Sequence, residues 1–319
     1  LNPSHARGHR FEFCSLHQKA PDFARNQVLF ITFCDKISLG HSLGQGTTQI
    51  VTQTPKGHNG ADSIGRLTMG DERALELCRR KNISTDAELA EVLNAFSITF
   101  AYHSGKIENE NITYHDTREI FEHDGVTAYT GDLRTLVEIR NAKEAYELFL
   151  IAFQAKRPLD ETFIKELQIF LTQNTYGTRR WQLGERPAEY KRHDYVMGWE
   201  EVGAAPEDVA DEMRELLEEL LDVTPDNALT AAAYFHAKFE NIHPFADGNG
   251  RTGRLAMNYL LVLYGHPPII IHEEDRKEYY DALEAWDTRQ ELVPLQEFLI
   301  GQTKKTWEKQ IKRAEKQNG

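Results

Sequence analysis

From Met69 onward, apolar side chains recur every three or four residues, and this spacing constrains the chain more than any other feature. In AELAEVLNAFSITFAYHS, the residues Leu89, Val92, Leu93, Phe96 and Phe100 fall on one helical face. Thr85 and Glu88 stand just before that face at the spacing of a capping box. A short second helix is expected over residues 104–109. Residues 132–155 place Leu133, Leu136, Val137, Ala145, Leu148, Phe149 and Ala152 on one stripe and predict a long amphipathic helix. Asp160 can cap a helix running through Leu171. Pro206 suits a helix start, where its missing N–H costs nothing, and that helix is expected to reach about Asp222. Pro225 opens another through Ile242, a further helix is expected from about Gly250 to Tyr264, and two or three helices close the chain. The Lys-rich end, KKTWEKQIKRAEKQNG, reads as a solvated helix. Between residues 176 and 205 the period breaks into Gly, Pro and alternating aromatics, the pattern of a loop with a short hairpin. The fold class is all-α.

Residues 1–68 read differently. They are rich in Gly, Thr, Gln and His, sustain no helical period, and offer one apolar run, residues 28–33, that could form a strand. They carry 7 Lys and Arg against 4 Asp and Glu, whereas the remainder carries 30 against 46. The expectation is a poorly ordered leader that is not native to the domain. The net charge of -13 argues against nonspecific binding to phosphate backbones, so no nucleic-acid partner is expected. No run approaches the ~18 apolar residues of a membrane-spanning helix, and no membrane partner is expected. Cys14, Cys34 and Cys78 are widely spaced and odd in number, which fits neither a disulfide framework nor a metal pattern and points to a reducing, cytoplasmic compartment.

The segment HPFADGNGRTGR, His243 to Arg254, lies between two apolar helices. Gly248, Asn249 and Gly250 can adopt positive φ and turn successive N–H groups into one concavity. The helix that starts there presents free N–H groups and the positive end of its dipole, which favours an anion. Arg251 and Arg254 are three apart in its first turn and oppose that dipole, an arrangement that suits a bound polyphosphate. Asp247 adds a carboxylate suited to a divalent cation that keeps several waters, such as Mg²⁺. His243 is the imidazole of the loop and a candidate base.

This segment resembles the full signature of the Fic family, H-P-F-x-[D/E]-G-N-G-R-x-x-R, without departure. The resemblance extends loosely from about Met69 to Gly301. It implies a Fic-fold helical bundle with a short β-hairpin flap. It also implies transfer of AMP from ATP to a Ser, Thr or Tyr hydroxyl of a protein substrate, the chain itself included. On that resemblance His243 deprotonates the hydroxyl and Asp247 holds Mg²⁺. Gly248, Asn249 and Gly250 steady the α-phosphate, Arg251 contacts the leaving phosphates, Arg254 contacts the γ-phosphate, and Phe245 anchors the loop. The intact glycines and Asn249 favour nucleotidyl transfer over the phosphate transfer of the Doc-like branch. Residues 177–198 fall where the family has its flap, which holds a target by strand addition. In EEDRKEYYDAL, Tyr279 or Tyr280 would face the base or ribose, with Tyr280 assigned to the nucleotide.

Upstream, SGKIEN, with Ser104 and Glu108, resembles the family's inhibitory pattern [S/T]-x-x-x-E-[G/N]. On that resemblance, Glu108 pairs with Arg254 and competes with the γ-phosphate for it. Asn141 resembles an asparagine that supports this region. The expected organisation is then a leader over residues 1–68, N-terminal helices with the inhibitory motif over 69–175, a core with flap and active-site loop over 176–301, and a charged tail over 302–319. Two other readings stay open: a hydrolase removing AMP with the same residues, and a noncatalytic nucleotide-binding regulator. Homo-oligomerisation stays open as well.

Overall fold

A computed structural model describes residues 86–197 and 200–317. The expected leader over residues 1–68, with its strand at residues 28–33, and the Thr85 end of the capping box lie outside the described residues. Among the described residues ten α-helices follow one another: α1 (Asp86–Glu108), α2 (Tyr114–His123), α3 (Leu133–Gln154), α4 (Glu161–Thr172), α5 (Thr178–Gln182), α6 (Val209–Glu218), α7 (Ala228–Ile242), α8 (Asn249–Leu263), α9 (Arg276–Arg289) and α10 (Val293–Gln317). Between α5 and α6 an antiparallel hairpin pairs β1 (Tyr195–Met197) with β2 (Glu200–Val202), with Tyr195 opposite Val202 and Met197 opposite Glu200. The all-α expectation holds, and the hairpin lies inside the stretch expected to carry it.

Helix starts follow their caps. Asp132 accepts from the Arg134 amide at 3.0 Å and Asp160 from the Phe163 amide at 2.7 Å, so α3 and α4 begin where the acidic side chains satisfy free N–H groups. Thr113 does the same for Asp116 at 3.1 Å and starts α2, a helix that the apolar spacing did not announce. Residues 104–109 do not form a separate helix. α1 continues unbroken through Glu108 and ends where Asn109 turns its side chain to α3, donating to Glu138 at 2.8 Å. Pro206 lies in a turn before α6, whose first residue is Val209, and α6 ends at Glu218 rather than Asp222. Likewise α7 begins at Ala228, three residues after Pro225. Nor is residue 302 a boundary: α10 runs straight through it, and Trp307 is buried.

The centre of the bundle is α8, which packs against α7, α4, α3 and α1. Every residue from Arg251 to Val262 is buried. A helix surrounded on all sides must satisfy its polar groups internally. Asn258 does so by exchanging two hydrogen bonds with the Ile269 backbone, at 2.6 and 3.0 Å, which fastens the extended segment before α9. Tyr259 sits edge-on between the rings of Phe149 and Phe163, at 5.5 and 4.7 Å, and its hydroxyl donates to the carbonyls of Ala152, at 3.1 Å, and Arg157. α3 is thereby pinned at its C-terminal end to the central helix. Removing that hydroxyl with Tyr259→Phe takes away the donor to the Arg157 carbonyl, while the Ala152 carbonyl keeps the Arg157 amide at 3.0 Å, and is expected to cost roughly 1 kcal/mol. Urea denaturation should show a lower midpoint at unchanged slope.

Candidate active site

α7 ends at Ile242 and is capped by His243, which adopts left-handed backbone geometry (φ 51°) and donates its amide to the Phe239 carbonyl at 3.0 Å. The chain reverses here and re-enters helix six residues later. Phe245, fully buried against Tyr190 and Phe239, fixes the bottom of the turn. Asn249 closes it: its carboxamide accepts from the Phe245 amide at 2.9 Å and donates to the Phe245 carbonyl at 2.7 Å. Both ends of that side chain therefore serve the loop, which leaves the backbone N–H as the group Asn249 can offer a phosphate. Of the three residues expected at positive φ, only Gly248 adopts it (84°). A Cβ there would lie 2.5 Å from the Thr172 methyl. Asn249 and Gly250 are helical instead. Gly250 matters for space, because a Cβ would collide with the Glu108 carboxylate and lie 2.9 Å from the Arg254 guanidinium.

His243 is packed from behind by Gly203, the residue that follows β2. A Cβ on Gly203 would lie 2.6 Å from that of His243 and 2.5 Å from the Ile242 carbonyl. The amides of Lys191 and Ala204 bond Pro244 and Ile242, both at 2.9 Å, so the hairpin segment is tied to the loop on both sides. Burial, reinforced by the nearby Lys191 charge, lowers the His243 imidazole to about 4. It is therefore neutral at physiological pH, with a lone pair free to take a proton.

Arg254 is 1% exposed. Its Nε donates to the Ser104 hydroxyl at 3.0 Å, and Nη2 donates to the Ser104 carbonyl at 2.9 Å and to Glu108 at 2.7 Å. The sequence-predicted pair, separated by 146 residues in the chain, is in direct contact. Burial alone would raise the Glu108 carboxyl, but the Arg254 charge and hydrogen bond outweigh it and hold the group below its ordinary range. Behind this pair lies a layer that the sequence did not reveal. His236 is fully buried and shares a 2.7 Å hydrogen bond with Tyr279. Its other nitrogen lies 4.0 Å from Glu240, whose carboxyl burial pushes up to about 8. Gly253 leaves room for both, since a Cβ there would come within 2.6 Å of Glu240. Tyr279 thus belongs to the interior. Tyr280 is 42% exposed, and its hydroxyl is raised by burial and by Glu108.

Asp247 faces the other side of the loop. Arg251 reaches it at 3.2 Å and also donates to the Leu171 carbonyl at 3.3 Å. Arg180 of α5 binds it at 2.8 Å, and Arg134 of α3 approaches to 3.7 Å. Asn141 steadies the same Leu171–Gln173 turn, donating to the Gln173 carbonyl at 2.8 Å. Gln168, fully buried on α4, was not foreseen: it donates to the Asp247 carbonyl at 3.0 Å and accepts from the Ala188 amide at 2.7 Å, joining the loop to the flap segment. Its only sequence signal is a polar residue on an apolar helical face. Among the described residues no cluster of three or more acidic, His or Cys side chains could cage a metal. A single carboxylate at a helix N-terminus fits an ion such as Mg²⁺ that keeps its waters and is held mainly by substrate phosphates.

Residues 158–261 match the family model of the Fic/DOC family. A protein adenylyltransferase Fic from Nematostella vectensis is 33% identical over 187 residues, which are 57% of this chain and 41% of that protein. One from Drosophila persimilis is 31% identical over 212 residues, 64% of this chain and 39% of that protein. The chain thus spans about two-fifths of the length of the curated relatives it matches. Among solved structures, a Fic domain containing signaling protein from Bacteroides thetaiotaomicron superposes with a TM-score of 0.64 at 25% identity, covering 77% of this chain and 97% of that one. Fic-1 from C. elegans, at 22% identity and a TM-score of 0.62, shares the fold. The signature loop, all of α7 and α8 as far as residue 261 fall within the stretch that matches the Fic/DOC family model.

Proposed function

We propose that the chain is a protein adenylyltransferase, transferring AMP from ATP to a Ser, Thr or Tyr hydroxyl, and that Glu108 restrains it. The observation that carries this reading is the contact of Glu108 with Arg254 one helical turn beyond a glycine-formed helix N-terminus and a neutral His243. The relatives' printed name, protein adenylyltransferase, supports the same activity. In this reading residues 69–175 contribute the inhibitory motif and residues 176–301 the core with its flap. A reducing, cytoplasmic setting is part of it, on the odd, widely spaced cysteines.

The incoming hydroxyl gives its proton to the His243 imidazole while its oxygen attacks the α-phosphorus. The bond from that phosphorus to the leaving pyrophosphate breaks, and the flap holds the target backbone beside the histidine by strand addition. The N–H groups at the start of α8 receive the α-phosphate oxygens. Arg251 takes the leaving phosphates, Arg254 takes the γ-phosphate, and Tyr280 flanks the nucleotide. Asp247 would hold Mg²⁺, which when bound neutralises phosphate charge. While Glu108 occupies Arg254, the γ-phosphate meets a carboxylate where it needs a guanidinium, and the nucleotide cannot seat productively.

Incubation with α-labelled ATP and Mg²⁺ tests the assignment. Wild type should label itself or a target weakly, Glu108→Gly at least tenfold more, and Glu108→Gly with His243→Ala not at all. Label absent from every variant sinks the reading, and label lost from a pre-adenylylated target on adding wild type would reassign the chain to AMP removal. The base assignment has its own signature in the pH dependence of kcat/KM. The imidazole is depressed to about 4, so activity of Glu108→Gly should persist as pH falls through 6 and drop only at or below about 4. Removing Glu108, whose charge raises the imidazole, pushes that limb lower still. An acid limb near 6.5, the ordinary histidine value, would count against His243 as the buried base.

A further inference from the structure

Three guanidiniums from three separate elements meet at Asp247, and only one of them belongs to the signature loop. Arg180 makes the shortest contact, 2.8 Å to Oδ2. Arg251 holds Oδ1 at 3.2 Å. Arg134, at 3.7 Å, is drawn aside by Glu138 at 2.9 Å. The Asp247 side chain is 14% exposed and Arg251 10%, whereas Arg180 is 33% and Arg134 47% exposed, so water screens the outer two guanidiniums in part while the carboxylate itself is largely enclosed. Three positive charges face two carboxylates, Asp247 and Glu138. A bare divalent cation approaching Asp247 must displace Arg180 from its shortest bond and then sit among like charges. A triphosphate changes that balance, because its oxygens offer the arginines alternative partners of matching fork geometry.

We propose that Arg180 is a positioning residue that occupies Asp247 as a counter-ion and yields it only to a divalent cation arriving together with nucleotide. Arg180 leaves Oδ2 as the phosphates enter, and the carboxylate then turns to the metal. Metal binding is thereby made dependent on nucleotide binding by a residue outside the signature. This inference rests on the assignment of Asp247 as the metal carboxylate under Proposed function.

Mn²⁺ binding, followed by electron paramagnetic resonance of the free ion, separates the two. The parent is the Glu108→Gly protein, with Arg180→Gln, Arg180→Lys, Arg179→Gln and Asp247→Asn added singly, and Asp247→Asn combined with Arg180→Gln. Circular dichroism checks that each variant is folded. Without nucleotide, Arg180→Gln should bind Mn²⁺ about tenfold more tightly than the parent, as expected for the loss of one charge-assisted bond to the competing carboxylate. Arg180→Lys, which keeps the charge but not the fork, should gain less. Arg179→Gln removes an exposed neighbouring charge that does not touch Asp247 and should match the parent. Adding Asp247→Asn to Arg180→Gln should abolish the gain. Unchanged or weaker Mn²⁺ binding by Arg180→Gln overturns the proposal, as does an equal gain in Arg179→Gln or a gain that survives Asp247→Asn. If the parent binds Mn²⁺ in the presence of a nonhydrolysable ATP analogue and loses it with Asp247→Asn, the site assignment stands whatever Arg180 does. If the analogue brings no Mn²⁺ to the parent, the assignment of Asp247 falls first.

Discussion

A guanidinium that is 1% exposed has to be neutralised and hydrogen-bonded where it lies, because removing a charge from water costs several kcal/mol even after relaxation. Arg254 meets that demand through the hydroxyl and carbonyl of Ser104 and the carboxylate of Glu108. The requirement reaches in both directions. It fixes the last turn of α1 against the first turn of α8, and it denies residue 250 a side chain, since a Cβ there would collide with the Glu108 carboxylate. Under the proposed function, a nucleotide at this helix N-terminus would satisfy the same cation with phosphate oxygens, and protein and ligand would compete for one set of donors.

The loop beside this pair is organised almost entirely by its neighbours. Asn249 closes it from within, Gln168 holds the Asp247 carbonyl from α4, and the flap segment bonds Pro244 and Ile242. Those supports orient His243 against Gly203 and Asp247 toward the arginines. The candidate reactive groups therefore stand on a frame held by backbone hydrogen bonds and tight glycine contacts.

What could be read in advance was what is contiguous or periodic. Twelve consecutive residues carry the histidine, the helix N-terminus and the two arginines; the apolar spacing locates α1 and α3, the Asp160 cap α4, and Pro225 and the glycine-rich loop mark α7 and α8. Glu108 was legible because its motif is short and local. Arg134, Arg180 and Gln168 were not, because each reaches the loop from more than sixty residues away and none shows a local pattern that marks it. His236 and Glu240 lie on the inner face of α7, where a histidine and a glutamate look like ordinary helix residues until α8 is laid across them. Short α2 and α5 escaped for a simpler reason: ten and five residues span too few turns for an apolar stripe to declare itself. The prolines at 206 and 225 suit the first helical position by their chemistry, but in both cases a turn separates the proline from the helix.

The manner in which α1 is embedded limits how Arg254 can be freed. Leu93, Phe96, Phe100 and Ile107 are all buried, Phe96 stacks on Trp307 of the last helix at 6.4 Å, and Tyr146 bonds the Leu93 carbonyl at 3.0 Å. Exposing four such side chains costs about 1.5–3 kcal/mol each, which together approaches the whole stability of an ordinary domain. The helix cannot swing away like a hinged arm without unravelling the bundle. What remains available is torsion at its tip: rotation of one glutamate, or fraying of the turn that ends at Asn109. A change so confined leaves the bundle intact, but it strips the buried Arg254 of its counter-charge, so it is cheap only when another anion takes the place of the carboxylate as it leaves.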